Sequence, residues 1–210
     1  MFKQFLQHTL KYVQQLQPCQ LCGIAQQHTH AICQDCWQHI PWLKNNIQRQ
    51  EIDIQVVCHY DYPINRIIQK FKYEQQLHFQ HLLAGLFNEL RLPKIYAIVP
   101  MPISNQRLAE RGYNQALVLE KILAKQHNIP IWQPIIRLDQ HSQKGLTRLE
   151  RLENIEQQFQ ICTPSKIRYR RVLILDDVVT TGSSIHALKQ KLEQLGCQKV
   201  YAACIASAEA

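Results

Sequence analysis

Val172, Leu173, Ile174 and Leu175 form an apolar run with no polar alternation, the pattern of a strand buried on both faces as in a parallel sheet. From Ser183 or Ser184 onward, Ile185, Leu188, Leu192 and Leu195 recur at helical spacing, and Gly196 stands where a left-handed residue closes a helix. The same two patterns recur upstream. Val56, Val57 and Cys58, then Ile95 to Val99, predict strands, the second stopped by Pro100 and Pro102. Ile64, Ile67, Ile68 and Phe71 mark one amphipathic helix; Leu82, Leu83, Leu86, Phe87 and Leu90 mark another. Ile135 and Phe159 open and close a charged stretch between two further strand candidates. Strands alternating with helices predict an α/β domain built on a parallel sheet. At the start of the chain, Phe2, Phe5, Leu6, Leu10, Val13 and Leu16 fit one helical face. Residues 44–51 are polar and predict a linker, so we divide the chain into a small module, residues 1–50, and a main domain, residues 51–210.

The stretch that follows the Val172 run carries the most chemistry. Asp176 and Asp177 end the apolar run, Val178 and Val179 follow, and Thr180-Thr181-Gly182-Ser183-Ser184 leads into the helix. Free N–H groups at a helix start can converge on a phosphate with the helix dipole behind them. Four hydroxyls add donors, and Gly182 permits close backbone approach. The acidic pair would accept from vicinal sugar hydroxyls, hold a divalent cation, or do both. A phosphate cradle beside such acceptors describes a phosphorylated pentose.

Other nucleotide-binding signatures are absent. The chain has six glycines, Gly23, Gly85, Gly112, Gly145, Gly182 and Gly196. Their spacing leaves no Gly-x-x-x-x-Gly-Lys loop and no Gly-x-Gly-x-x-Gly fingerprint. With 24 basic and 16 acidic residues the net charge is +8, compatible with a phosphorylated ligand or with nucleic acid. No apolar run approaches the length of a membrane span, and the first residues lack a signal-peptide pattern. A cytoplasmic location is therefore expected.

Cys19-x-x-Cys22 and Cys33-x-x-Cys36 form two knuckles ten residues apart, the spacing of a tetrahedral Zn2+ site. Disulfides or redox thiols are the alternatives, and nothing indicates an oxidising compartment. Four protein ligands would leave no open position, so the zinc would be structural. His28, His30 and His39 read as exposed polar residues, and Cys58 and Cys204 as small buried apolar ones.

Two further stretches invite a ligand. Val99 runs into Pro100-Met101-Pro102, then Arg107, Arg111-Gly112, Tyr113, Asn114 and Gln115. The arginines could bind phosphate oxygens, or pair with Glu110 and Glu120 on a helix surface. Gln143, Arg151 and Asn154 lie in the charged stretch before Phe159, with Arg151 and Asn154 on one helical face.

The segment Val172–Ser184 resembles the phosphoribosyl pyrophosphate (PRPP) motif of type I phosphoribosyltransferases. That resemblance implies that Asp176 and Asp177 engage ribose hydroxyls and that Val178 to Ser184 hold the 5′-phosphate. It implies a pyrophosphate loop over Pro100, Met101, Pro102, Arg107, Arg111 and Gly112, a flexible hood carrying Gln143, Arg151 and Asn154, and Mg2+ accompanying the pyrophosphate. The knuckles followed by Pro41-Trp42, the Phe71-Lys72-Tyr73 stretch, the Pro-Met-Pro and Arg-Gly-Tyr-Asn-Gln sequences and the terminal motif, in that order, are similar to the ComF family of competence proteins, which includes the related GntX proteins. Membership implies a zinc finger joined to a phosphoribosyltransferase-like domain and a role in handling incoming single-stranded DNA with other DNA-uptake proteins. Tyr113 stands where phenylalanine is common in that family.

Three readings follow: a competence protein binding PRPP or a related phosphorylated ribose, a metabolic phosphoribosyltransferase acting on a free base, and a PRPP-sensing regulator. No residue stands out as a general acid or base, so the catalytic question stays open. Candidates for direct contact with single-stranded DNA are Lys70 and Lys72 beside Phe71 and Tyr73, and Lys166, Arg168 and Arg170 beside Tyr169.

Overall fold

A computed structural model describes residues 17–139, 157–162 and 168–208. The expected N-terminal helix, the hood residues Gln143, Arg151 and Asn154, and Lys166 lie outside them. The first described elements are a short helix α1 (Gln34–Gln38), strands β1 (Trp42–Arg49) and β2 (Ile52–His59), and helices α2 (Ile64–Tyr73) and α3 (Gln80–Phe87). Strand β3 (Ala97–Pro100) and helices α4 (Asn105–Arg111) and α5 (Gln115–His127) come next, then a ribbon of β4 (Ile135–Arg137) and β5 (Phe159–Ile161). Strand β6 (Arg171–Val179), helix α6 (Ser183–Gln194) and strand β7 (Lys199–Ser207) complete the described fold.

The main sheet has the order β1-β2-β7-β6-β3. Its β2–β7, β7–β6 and β6–β3 pairs are parallel, as the continuous apolar runs predict; β1 joins β2 antiparallel. Alternate residues of β6 feed two cores. Leu173 and Leu175 face the side covered by α2, α3 and α5, where Ile68, Phe71, Leu82, Leu86, Leu119 and Leu123 are buried. Val172 and Ile174 face α6 and the ribbon, packing with Ile185, Leu188, Leu192, Trp132 and Phe159. Cys58 and Cys204 are fully buried within these layers, as expected. Gly196 has φ 96° just past the end of α6, the left-handed turn its position predicts.

Two expectations need correction. Residues 44–49 are not a linker but most of the edge strand β1, which hydrogen-bonds to β2 and turns back through Gln50 and Glu51 at φ 47° and 60°. An edge strand needs only one buried face; Leu43 and Ile47 pack on the core while their polar neighbours meet solvent. The strand pair thus straddles residue 50, where the sequence suggests a boundary. Second, the acidic pair does not terminate β6: the strand runs on to Val179, with Asp176 opposite Cys204.

His28 and His39 are exposed as expected, but His30 is half-buried. Its ring packs on Trp37 at 5.2 Å, and Trp37 meets Trp42 edge-on at 5.0 Å. The His30 ring also fills the space over Gly85 of α3, where an added Cβ would lie 2.2 Å from Nδ1. The cysteine module is therefore docked on the main domain through a histidine seated on a glycine. Burial pushes His30 below its ordinary pKa, which suits a neutral ring in that position.

Candidate functional site

The four cysteines predicted as ligands converge. The sulfurs of Cys19, Cys22, Cys33 and Cys36 all lie within 4.8 Å of one another, and none is in a disulfide. The knuckles are built by backbone geometry. The N–H of Leu21 donates to Cys19 Sγ and that of Cys36 to Cys33 Sγ, both at 3.4 Å. Gly23, at φ 68°, donates to the Cys19 carbonyl at 2.9 Å. The backbone N–H groups of Ala25 and Ile24 pull the Cys22 thiol down to about 6, whereas burial and the neighbouring sulfurs push Cys36 up. Four crowded sulfurs of unequal acidity fit a thiophilic divalent cation, and zinc would hold the module together with no position left for a substrate.

The Thr180–Ser184 turn is shaped from outside by the β1–β2 hairpin. Arg49 Nε donates to the Thr180 carbonyl at 3.2 Å, and Gln50 Nε2 to Ser183 Oγ at 2.8 Å. Gly182 sits at φ 79°, and a Cβ there would lie 2.7 Å from Arg49 Cβ, so both conformation and space require glycine. Helix α6 starts at Ser183 with no side-chain cap from Gly182; the Ser183 N–H donates to Thr181 Oγ1 at 3.4 Å, and the N–H groups of the rest of the first turn are left for an anion. Asp176, Val178 to Ser184 and Ile185 line a cavity of about 70 Å3, far below the roughly 300–1,000 Å3 of drug-sized ligand sites. It suits one small anion.

The acidic pair splits in two directions. Asp176 lines this cavity, half-buried. Asp177 faces away from it, 2% exposed, with Oδ1 2.8 Å from Lys72 Nζ at the end of α2. Burial pulls Lys72 down, but the charge and hydrogen bond of Asp177 outweigh it and leave Lys72 raised. Burial first, then the charge of Asp177, pushes the Asp176 carboxyl up to about 7. The pair therefore does not present two free carboxylates to Mg2+: one is held by an ammonium and the other resists ionisation. These residues do not fit a divalent cation bridging the pair.

The Pro-Met-Pro stretch leaves the sheet beside this site. Pro100 pairs with Leu175, and the buried Met101 donates to the Leu175 carbonyl at 3.2 Å. Much of the unusual sequence that follows is capping. Ser104 caps α4, Gly112 closes it at φ 79°, and Asn114 caps α5 while its Nδ2 donates to the Met101 carbonyl at 3.1 Å. Tyr113 donates its hydroxyl to the Phe71 carbonyl. Arg111 lies over the Tyr73 ring, 5.0 Å from its centre, whereas Arg107 lines a polar cavity with Arg137. Among the described residues neither arginine pairs with Glu110 or Glu120. Glu110 accepts from Gln106, and Glu120 is wholly buried, which raises its carboxyl pKa well above the ordinary range.

The structure also revises the stacking surfaces predicted for DNA. Phe71 is fully buried and Lys72 is tied to Asp177. Tyr169 packs edge-on against Trp132 at 5.4 Å. Lys70, Arg168 and Arg170 remain exposed. Sequence reasoning missed Arg49, Gln50 and the Lys72–Asp177 pair because each contact joins residues more than a hundred positions apart, and no local pattern signals it.

A mostly parallel α/β domain with a glycine-centred turn between β6 and α6, fronted by a four-cysteine module, is the class of protein defined here. The chain is 30% identical over 204 residues to competence protein F of Haemophilus influenzae, covering 90% of this chain and 84% of that protein. It is 26% identical to the DNA utilization protein YhgH of Escherichia coli K12, covering 89% and 82% respectively. The purine phosphoribosyltransferase structure from Pyrococcus horikoshii overlaps 70% of this chain and 73% of its own at 18% identity, with a TM-score of 0.30. The chain matches no protein-family model. It belongs to the competence protein F family. Among the described residues no helix is long and apolar enough to cross a membrane.

Protein purified without added metal is expected to carry about one zinc per chain, with its four module thiols protected from thiol reagents. Elemental analysis alongside thiol titration measures both. Less than about half an equivalent, with those thiols freely reactive, would contradict the assignment.

Proposed function

We propose that this protein acts in natural transformation, handling incoming single-stranded DNA in the cytoplasm through a domain that binds PRPP or a related phosphorylated ribose. The observation that carries the reading is the β6–α6 junction: a helix start without a side-chain cap from Gly182 and a left-handed Gly182 turn beside Asp176. The cysteine module before β1 supplies the zinc site, and the main sheet, which β1 (Trp42–Arg49) joins at its edge, carries the ligand-binding domain. In this reading the turn takes the 5′-phosphate and Asp176 accepts from the ribose hydroxyls. Asp177 orients the strand end through Lys72. Exposed Lys70, Arg168 and Arg170 are among the described cations available to DNA phosphates, and DNA-uptake proteins are the expected partners. A pyrophosphate-release assay with free bases separates this role from nucleotide synthesis.

A carboxylate accepts hydroxyl hydrogen bonds best when ionised. With Asp176 raised to about 7, binding has to ionise it below that pH and is free of this cost above it. Affinity for PRPP should therefore rise roughly tenfold between about pH 6 and about pH 8. Asp176→Asn should bind more weakly than the parent at the upper end, with most of the slope gone. Titration calorimetry across the series tests this. An equal slope in parent and variant would show that the phosphate alone titrates and would remove Asp176 from the site.

The cellular role has its own test. A strain lacking the gene should take up labelled DNA normally yet yield few chromosomal transformants. Normal transformant numbers would refute the competence role.

A further inference from the structure

The β1–β2 hairpin closes through only Gln50 and Glu51, since Arg49 pairs with Ile52. Both turn residues have left-handed backbone, φ 47° and 60°, a conformation that two-residue hairpin turns fill with Asn and Gly. Gln and Glu are not at home there. A residue kept in a costly conformation directs attention to its side chain, and the side chain of Gln50 reaches the Thr180–Ser184 turn.

It arrives as a donor. Gln50 Nε2 gives a hydrogen to Ser183 Oγ at 2.8 Å. Ser183 is 7% exposed, and its Oγ lies 3.0 Å from Thr181 Oγ1. With Gln50 donating to it, the Ser183 hydroxyl turns its own hydrogen to Thr181. Thr181 Oγ1 also accepts the Ser183 N–H at 3.4 Å. A hydroxyl has two acceptor positions and one hydrogen, so Thr181 is filled as an acceptor and keeps its hydrogen to give. Among the described residues no acceptor takes that hydrogen, and Thr181 lines the cavity of about 70 Å3. The relay from Gln50 therefore ends in the cavity. Its start is held too. His186 Nδ1 donates to the Gln50 carbonyl at 3.3 Å, while Nε2 of the same ring accepts from Gln190 Nε2 at 3.0 Å.

We propose that Gln50 is a positioning residue of the Thr180–Ser184 turn, orienting the Thr181 hydroxyl through Ser183 so that it only donates. A turn that only donates fits a phosphate monoester in its dianionic form, which has no hydrogen of its own to place. A protonated phosphate would set one hydrogen against another. The proposal rests on the sugar-phosphate reading above and adds the protonation state of the group that the turn takes. Gln50 lies far from the Val172–Ser184 motif in the chain, and neither that motif nor the family resemblance gives it a role.

The test uses the full chain and two probes, ribose 5-phosphate and inorganic phosphate, followed by titration calorimetry. Gln50→Gly removes the amide and relaxes the backbone, so the variant should melt close to the parent. Gln50→Asn also tolerates the left-handed turn but is a methylene shorter, and serves as the second variant. Ribose 5-phosphate affinity should fall about three- to tenfold in each. In a Thr181→Val background, which has no hydroxyl to orient, Gln50→Gly should change affinity by less than about twofold. Equal losses in the two backgrounds are the behaviour of a residue that only supports the fold. That result, or binding by Gln50→Gly as tight as the parent's, would overturn the proposal. Phosphate bound through Gln50, with ribose 5-phosphate no tighter than inorganic phosphate, leaves the relay standing and removes the sugar-phosphate reading. A parent that binds neither probe overturns both.

Discussion

One buried ion pair fixes the arrangement of the site: Lys72 at the end of α2 and Asp177 near the end of β6, 2.8 Å apart and largely shielded from water. A lone carboxylate at 2% exposure would be strongly disfavoured without a partner. The pairing brings the last turn of α2 over the end of β6. That same turn accepts the Tyr113 hydroxyl at the Phe71 carbonyl and offers the Tyr73 ring to Arg111. Three consecutive residues of one helix thus tie the acidic strand to the loop that follows β3. With Asp177 committed below, Asp176 is the acid left facing the Thr180–Ser184 turn.

Strand β1 makes the corresponding connection on the other side of the molecule. It begins at Trp42, packed edge-on against Trp37 of the cysteine module. It ends at Arg49, whose side chain holds the Thr180 carbonyl and leaves room only for glycine at position 182. A single eight-residue edge strand therefore runs from the cysteine module to the Thr180–Ser184 turn. His30 seated on Gly85 adds a second contact to the main domain. The module is packed as part of the same body.

Features governed by local pattern were legible in the sequence. The apolar run at Val172, the helical spacing after Ser183, the left-handed Gly196 and the paired cysteine knuckles all depend on residues close in the chain. Features governed by distant partners were not. The polar composition of Lys44 to Glu51 hides a strand because an edge strand draws its stability from the backbone ladder to β2, not from its own side chains. Lys72 beside aromatic neighbours looks like a nucleic-acid contact until the fold places Asp177 against it. His30 looks exposed until Gly85 provides its seat. The stretch from Pro-Met-Pro to Arg-Gly-Tyr-Asn resembles ligand chemistry in its composition, yet Ser104, Gly112 and Asn114 within it cap α4 and α5.

The central claim, that a buried Lys72–Asp177 pair organises the site, is open to a double-mutant cycle in urea at neutral pH. Lys72→Met alone leaves a buried carboxylate unpaired and should destabilise by about 3–5 kcal/mol. Adding Asp177→Leu removes that charge and should recover most of the loss. A cost below about 1 kcal/mol for Lys72→Met, with no recovery in the double variant, is the behaviour of a solvent-exposed pair and would contradict the account.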